Sequence, residues 1–311
     1  MSIWSPSISF RTLPGDEEAE DVSDKTRVPY VEEVDEIELG PAEDPLEDAA
    51  YKLWRKAVKT GTWDPAEIDL SDDREQYEKL DEPMRIYLER FCSAFYHAEE
   101  NVALLFCPWI MAASGMWQQA FLSTQLVEEF KHTDFFARYF DEVFGTDKLR
   151  EALYNPVHDT LAERGERLLA SFSGTEEDRT MRFVEGVVHY QGVIEGVQAN
   201  TGYQIFLNVF ARNGLLPGLS EGFRQIQRDE GRHVSFGLQV LRHYAHEDER
   251  YARRIREMYE EYLPFIRQRY GQKMVVDGRE YGPPEDERGV ERLMELYERR
   301  MKDIFGAEAT A

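Results

Sequence analysis

Stretches in which apolar residues return every three or four positions alternate along the chain with short polar or glycine–proline breaks, a pattern that predicts helices nearly throughout. The first carries Leu46, Ala49, Ala50, Leu53, Trp54 and Ala57 and stops at Gly61, which predicts a helix over 45–59. Ser71 to Asp73 forms a capping run, and Pro83 suits the first turn of a helix over Met84 to Phe106 that Pro108 limits. Three longer segments, at 113–143, 176–212 and 217–245, are apolar on more than one face and so belong at the centre of the fold. Asn155-Pro156 and Ser173-Gly174 bracket a shorter helix at 157–171, while Asn213-Gly214 and Pro217-Gly218 separate the last two central helices. Further helices are predicted at 248–270 and 286–304, and the segment Val275 to Tyr281 reads as the one hairpin, turning at Asp277-Gly278. The class is all-α.

Residues 1–43 are rich in Asp, Glu, Pro and Gly and lack apolar periodicity, so they are expected to form an extended acidic arm ahead of a single helical domain over 44–311. A formal charge of −24, from 61 acidic and 37 basic side chains, makes nucleic acid and anionic lipid poor partners. Cys92 and Cys107 are too few for a disulfide framework and read as buried thiols of a reducing compartment. With no export-type N-terminus and no apolar run of membrane-spanning length, a cytoplasmic protein without a membrane span is expected.

Chemistry enters through Glu-x-x-His, which occurs at Glu129/His132 and again at Glu230/His233. On a helix, residues three apart share a face, so each pair can grip one metal ion. Glu99 lies 30 residues before Glu129 and Glu195 lies 35 before Glu230, so the chain reads as two similar helix pairs. Four inward glutamates and two histidines from four helices make the donor set of dimetal carboxylate sites in helical bundles. Such a set cannot stay ionised in an apolar interior without cations, because each lone buried charge costs several kcal/mol. Oxygen and imidazole donors suit iron and manganese, and the absence of a thiolate set argues against an iron–sulfur cluster. Glu100 and Glu128 point about 100° away from their neighbours and read as surface or supporting groups. His97, His158, His189, His243 and His246 read as ordinary core or surface histidines.

These residues resemble the ribonucleotide reductase small-subunit superfamily over about 45–270, including Trp63-Asp64-Pro65 and Glu67-Ile68-Asp69-Leu70. Reductase small subunits carry a radical-storing tyrosine four residues after the first motif histidine, where this chain has Phe136, and commonly Asp where it has Glu99. A closer resemblance is to the ligand-binding oxidases similar to these subunits. It rests on Ala98-Glu99-Glu100-Asn101-Val102, Glu128-Glu129-Phe130-Lys131-His132, Tyr190 to Tyr203, and Gln227-Arg228-Asp229-Glu230-Gly231-Arg232-His233.

That resemblance implies a ferritin-like four-helix core with additional helices, a dioxygen-activating manganese–iron (or di-iron) pair, a long-chain fatty acid at the metals, and a homodimer. It places manganese on Glu99, Glu129 and His132, iron on Glu195, Glu230 and His233, and a bridge at Glu129. It further implies a tyrosine–valine ether link at Tyr190 and Val102, and supporting roles for Asp229 on His132 and for Trp63 beyond it. A radical-generating subunit of a reductase, and a protein that only stores iron or fatty acid, are the alternatives that the residues leave open.

Overall fold

The computed structural model describes residues 44–149, 156–200, 202–203, 206, 210–270, 274–276, 279–281 and 287–306. The arm expected over 1–43 lies outside them. Among the described residues ten α-helices are delimited: α1 (Pro45–Thr60), α2 (Ser71–Lys79), α3 (Glu82–Leu105), α4 (Cys107–Ala112), α5 (Met116–Tyr139), α6 (Pro156–Ser171), α7 (Glu176–Val187), α8 (Pro217–Glu247), α9 (Glu249–Tyr270) and α10 (Glu287–Phe305). Two of them continue in a wider winding, α5 into a π turn over Phe140–Phe144 and α7 into a π-helical segment over Val188–Ala199. Strands β1 (Met274–Val276) and β2 (Arg279–Tyr281) pair antiparallel, Met274 with Tyr281 and Val276 with Arg279. That register is the expected hairpin, although its turn residues lie outside the described ones.

Local chemistry explains the helix ends. Asp44 and Asp81 cap α1 and α3, accepting from the backbone N–H of Leu46 at 2.8 Å and of Met84 at 3.0 Å. Pro108 limits α3 as expected, but it also starts the short α4, because proline suits a first turn as well as it ends a previous helix. The capping run at 71–73 works differently from expectation. Leu70 occupies the cap position of α2, while buried Asp73 accepts from the N–H groups of Gly218 (2.7 Å) and Leu219 (2.8 Å), capping α8 instead. Glu47 of α1 serves α5 likewise, accepting from Trp117 N at 3.0 Å and Gln118 N at 3.2 Å. Carboxylates suit these positions because helix N-termini present unpaired donors and partial positive charge.

Helix α5 packs against α1 and α3, and α8 packs against α5 and the π-helical segment. Close approach of α8 to α5 depends on Gly222, where a Cβ would stand 2.0 Å from the Phe135 ring. Among the described residues the core has two apolar clusters, one around Phe121, Tyr190 and Phe236, the other, strongly aromatic, around Phe136, Phe206 and Phe223. On α3, α5 and α8 the expected ligands stand between members of the two: Glu99 between Cys92 and Val102, Glu129 and His132 between Leu122 and Phe135, Glu230 and His233 between Ile226 and Phe236. Polar chemistry therefore sits in a belt closed by apolar packing on either side. Cys92 is buried in the aromatic cluster, but Cys107 is exposed, because the first turn of α4 leaves it on the surface.

Candidate metal centre

Helix α3 supplies Glu99, α5 supplies Glu129 and His132, the π-helical segment supplies Glu195, and α8 supplies Glu230 and His233; all six are buried. Three-residue spacing on α5 and α8 puts each glutamate beside its own histidine, with His132 Nδ1 3.6 Å from Glu129 Oε2 and His233 Nδ1 3.6 Å from Glu230 Oε2. Across the bundle, His132 Nδ1 meets Glu99 Oε2 at 3.3 Å and Glu230 Oε1 at 3.5 Å, while His233 Nδ1 meets Glu129 Oε1 at 3.2 Å and Glu195 Oε1 at 3.5 Å. Two overlapping donor sets result, Glu99–Glu129–His132–Glu230 and Glu129–Glu195–Glu230–His233, and within each the ligand atoms lie within 4.8 Å of one another. Glu129 and Glu230 both span the two sets, so Glu230 faces both histidines and not His233 alone.

Burial pushes the Glu99 carboxyl up to about 8 and that of Glu195 well above the carboxylate range. Burial also opposes charge on Glu129, yet His132 and His233 beside it outweigh this and hold it well below its ordinary value. Both rings are pushed the other way: burial disfavours their charge, but the surrounding carboxylates raise them well above the imidazole range. Glu195 Oε2, Glu230 Oε2 and His233 Nδ1 are buried and make no hydrogen bond. Converging lone pairs, unpaired atoms and oxygen–imidazole chemistry fit a pair of divalent cations, which would displace the protons.

Outside the six, the outer nitrogens of both rings are held by carboxylates. His132 Nε2 lies 3.3 Å from Asp229 Oδ2, which also accepts from Trp63 Nε1 at 2.7 Å. His233 Nε2 lies 2.8 Å from Glu128 Oε2. Glu128 is thus a buried partner of a ring, the supporting alternative of its expected reading, whereas Glu100 is half-exposed and accepts from Tyr96 Oη at 3.1 Å. His189 is an internal core histidine, 2.6 Å from Tyr262 Oη.

Tyr190 Oη donates to Glu129 Oε1 at 2.8 Å, and Val102 is buried in the same apolar cluster as Tyr190. The π winding matters here. Five residues apart on an α-helix, Tyr190 and Glu195 would diverge by roughly 140°, whereas i→i+5 winding returns them toward one face. Gln125, Lys131 and Arg232 border the site as well. Gln125 Nε2 donates to Glu195 Oε1 at 2.9 Å, and Lys131 Nζ donates to Gly61 O at 2.7 Å and stands 4.8 Å over the Trp63 ring. Gln125 was findable one helical turn before Glu129, on the ligand face of α5; the other two carried no such spacing signal.

The family model of the ribonucleotide reductase small chain matches residues 44–274. Among solved structures, an R2-like ligand-binding oxidase with aerobically reconstituted Mn/Fe cofactor superposes with a TM-score of 0.70 at 25% identity, over 84% of this chain and 93% of that chain. A mutant R2-like ligand-binding oxidase with anaerobically reconstituted Mn/Fe cofactor gives a TM-score of 0.69 at 25% identity, over 85% and 95%. Family match, helical architecture and buried Glu/His group agree, and the chain belongs to the ribonucleotide reductase small-chain family, sharing its ferritin-like fold with the R2-like ligand-binding oxidases.

Proposed function

We propose that this protein is a dioxygen-activating oxidoreductase with a manganese–iron pair, in which Glu99, Glu129 and His132 hold manganese, Glu195, Glu230 and His233 hold iron, and Glu129 bridges. The observation that carries the reading is the pair of overlapping four-residue sets, each with its ligand atoms within 4.8 Å. When bound, manganese(II) and iron(II) would together supply two of the four electrons that take dioxygen to water, leaving two to be drawn from a substrate. The chain's own residues do the rest. The carboxylates neutralise the ions, the apolar clusters on either side exclude water, and Asp229 and Glu128 orient the two imidazoles. Tyr190 presents its phenolic proton to Glu129 at 2.8 Å, the position from which that proton can leave.

The substrate side of the reading is an aliphatic C–H bond, either that of Val102 or that of a long-chain fatty acid seated at the metals of a homodimer. Joining Tyr190 to Val102 breaks the phenol O–H and one C–H bond and forms a C–O ether, with two protons and two electrons passing to dioxygen. The test is to load metal-free protein with manganese and iron(II), admit air, digest, and look by mass spectrometry for a joined Val102–Tyr190 peptide two hydrogens lighter than the sum. Finding it supports the oxidase. Its absence from protein that holds both metals overturns the cross-linking oxidase and favours a radical-generating subunit, to which the Trp63–Asp229–His132 contacts would lend a path.

A further inference from the structure

Behind the six expected ligands, one side chain reaches both halves of the site. Arg232 is 2% exposed, and its Nη2 donates to Glu128 Oε1 and to Asp229 Oδ1 together. Each carboxylate turns its other oxygen to a ring: Glu128 Oε2 lies 2.8 Å from His233 Nε2, and Asp229 Oδ2 lies 3.3 Å from His132 Nε2. The run His233–Glu128–Arg232–Asp229–His132 is therefore unbroken and buried. Its guanidinium is fixed from behind, Nη1 donating to Arg228 O at 3.1 Å and to Thr60 Oγ1 at 3.4 Å. Room for it depends on Gly61, where a Cβ would stand 2.2 Å from Glu128 Oε1 and 3.0 Å from Arg232 Nη2.

We propose that Arg232 is a positioning residue that sets both metal positions at once, by fixing through one nitrogen the two carboxylates that orient His132 and His233; this rests on the metal reading above. The chemistry is specific to a planar guanidinium. One Nη carries two hydrogens in a fixed plane and can serve two acceptors, whereas an ammonium is a point charge on a flexible stem. Lys131 supplies a contrast, since its Nζ approaches Asp229 Oδ2 at 3.5 Å and has no contact with Glu128 among the described residues. If the outer layer merely balanced charge, removing either cation would act alike. If Arg232 orients both rings, its loss reaches both positions and the loss of Lys131 only one.

The experiment titrates manganese(II) alone into metal-free protein, reading the free ion by electron paramagnetic resonance, in the unchanged chain and in His132→Ala and His233→Ala, each of which leaves one position. Arg232→Gln is expected to weaken binding about 10- to 100-fold in both backgrounds, the usual effect of losing a partner that orients a ligand. Lys131→Met is expected to weaken it in His233→Ala only. Weakening by Arg232→Gln in a single background, or in neither, overturns the proposal. Should the chain with Arg232→Gln lose its helical circular dichroism, Arg232→Lys carries the test. Reduced affinity in both backgrounds supports the proposal and unchanged affinity overturns it. An unchanged chain that takes up no manganese would instead sink the metal reading itself.

Discussion

Gly61 and Glu128 show how closely the supporting layer is packed at the level of single residues. Gly61 ends α1, and a Cβ there would stand 2.2 Å from Glu128 Oε1 and 2.8 Å from Ala57 O. Gly61→Ala is therefore expected to push Glu128 off His233, lowering stability by about 1–3 kcal/mol and weakening manganese uptake at the His233 position. Urea unfolding together with manganese titration checks it, and a variant with both properties unchanged would refute the clash. Gln125 offers a second test. It is fully buried and donates to Glu195, so Gln125→Leu leaves that carboxylate without its neutral donor. Loss of affinity at the His233 position is expected, measured by the same titration in the His132→Ala background. The six side chains whose donor atoms converge could be picked out in the sequence because Glu-x-x-His repeats at helical spacing and each copy is preceded by a glutamate on the previous long helix. Glu128, Lys131 and Arg232 carry no such mark. Their roles arise where α5, α8 and the end of α1 meet, and no spacing along one helix encodes a meeting of three.

At the scale of elements, the sequence located nearly every helix to within a few residues, because apolar periodicity and the Gly and Pro breaks act locally. What it misplaced depends on tertiary partners. Asp73 looked like a cap for its own helix, yet it caps α8 and also accepts from Tyr139 Oη at 2.9 Å. Burial raises its carboxyl, while the hydrogen bonds from Leu219, Gly218 and Tyr139 favour the ionised form. Asp73→Ala leaves two helix N–H groups and a buried phenol without their acceptor, and is expected to cost about 2–4 kcal/mol. Chemical denaturation checks it; a loss within about 0.5 kcal/mol, as for an ordinary surface substitution, would show that the α8 cap contributes little. The π winding over Val188–Ala199 was likewise invisible, since a helix of either winding shows the same apolar run. Its consequence is geometric, turning Tyr190 toward the face that carries Glu195.

The site also governs how the whole molecule responds to pH and metal. In the metal-free fold the Glu99 carboxyl is held at about 8 against an ordinary 4.5, so between those values the folded chain keeps a proton that the unfolded chain releases. Stability from that source falls as pH rises through this window. His132 and His233 act in the same sense. Their rings are raised well above 6.5, so what they contribute is complete below 6.5 and is lost as pH climbs through their folded values. Glu129 opposes only in acid, because a carboxyl held low stabilises above 4.5 and loses that contribution as pH falls. The metal-free protein should thus melt lower at about pH 8.5 than at about pH 6. Divalent cations replace the protons, so loaded protein should lose most of this dependence and gain about 2.7 kcal/mol when the free ion stands at 100 times its dissociation constant. Screening of the −24 surface by monovalent salt would act on both forms alike and leave the difference in place. Thermal melts of both forms at the two pH values decide the matter: a metal-free protein more stable at the higher pH would mean that the four glutamates do not share a buried, proton-holding site.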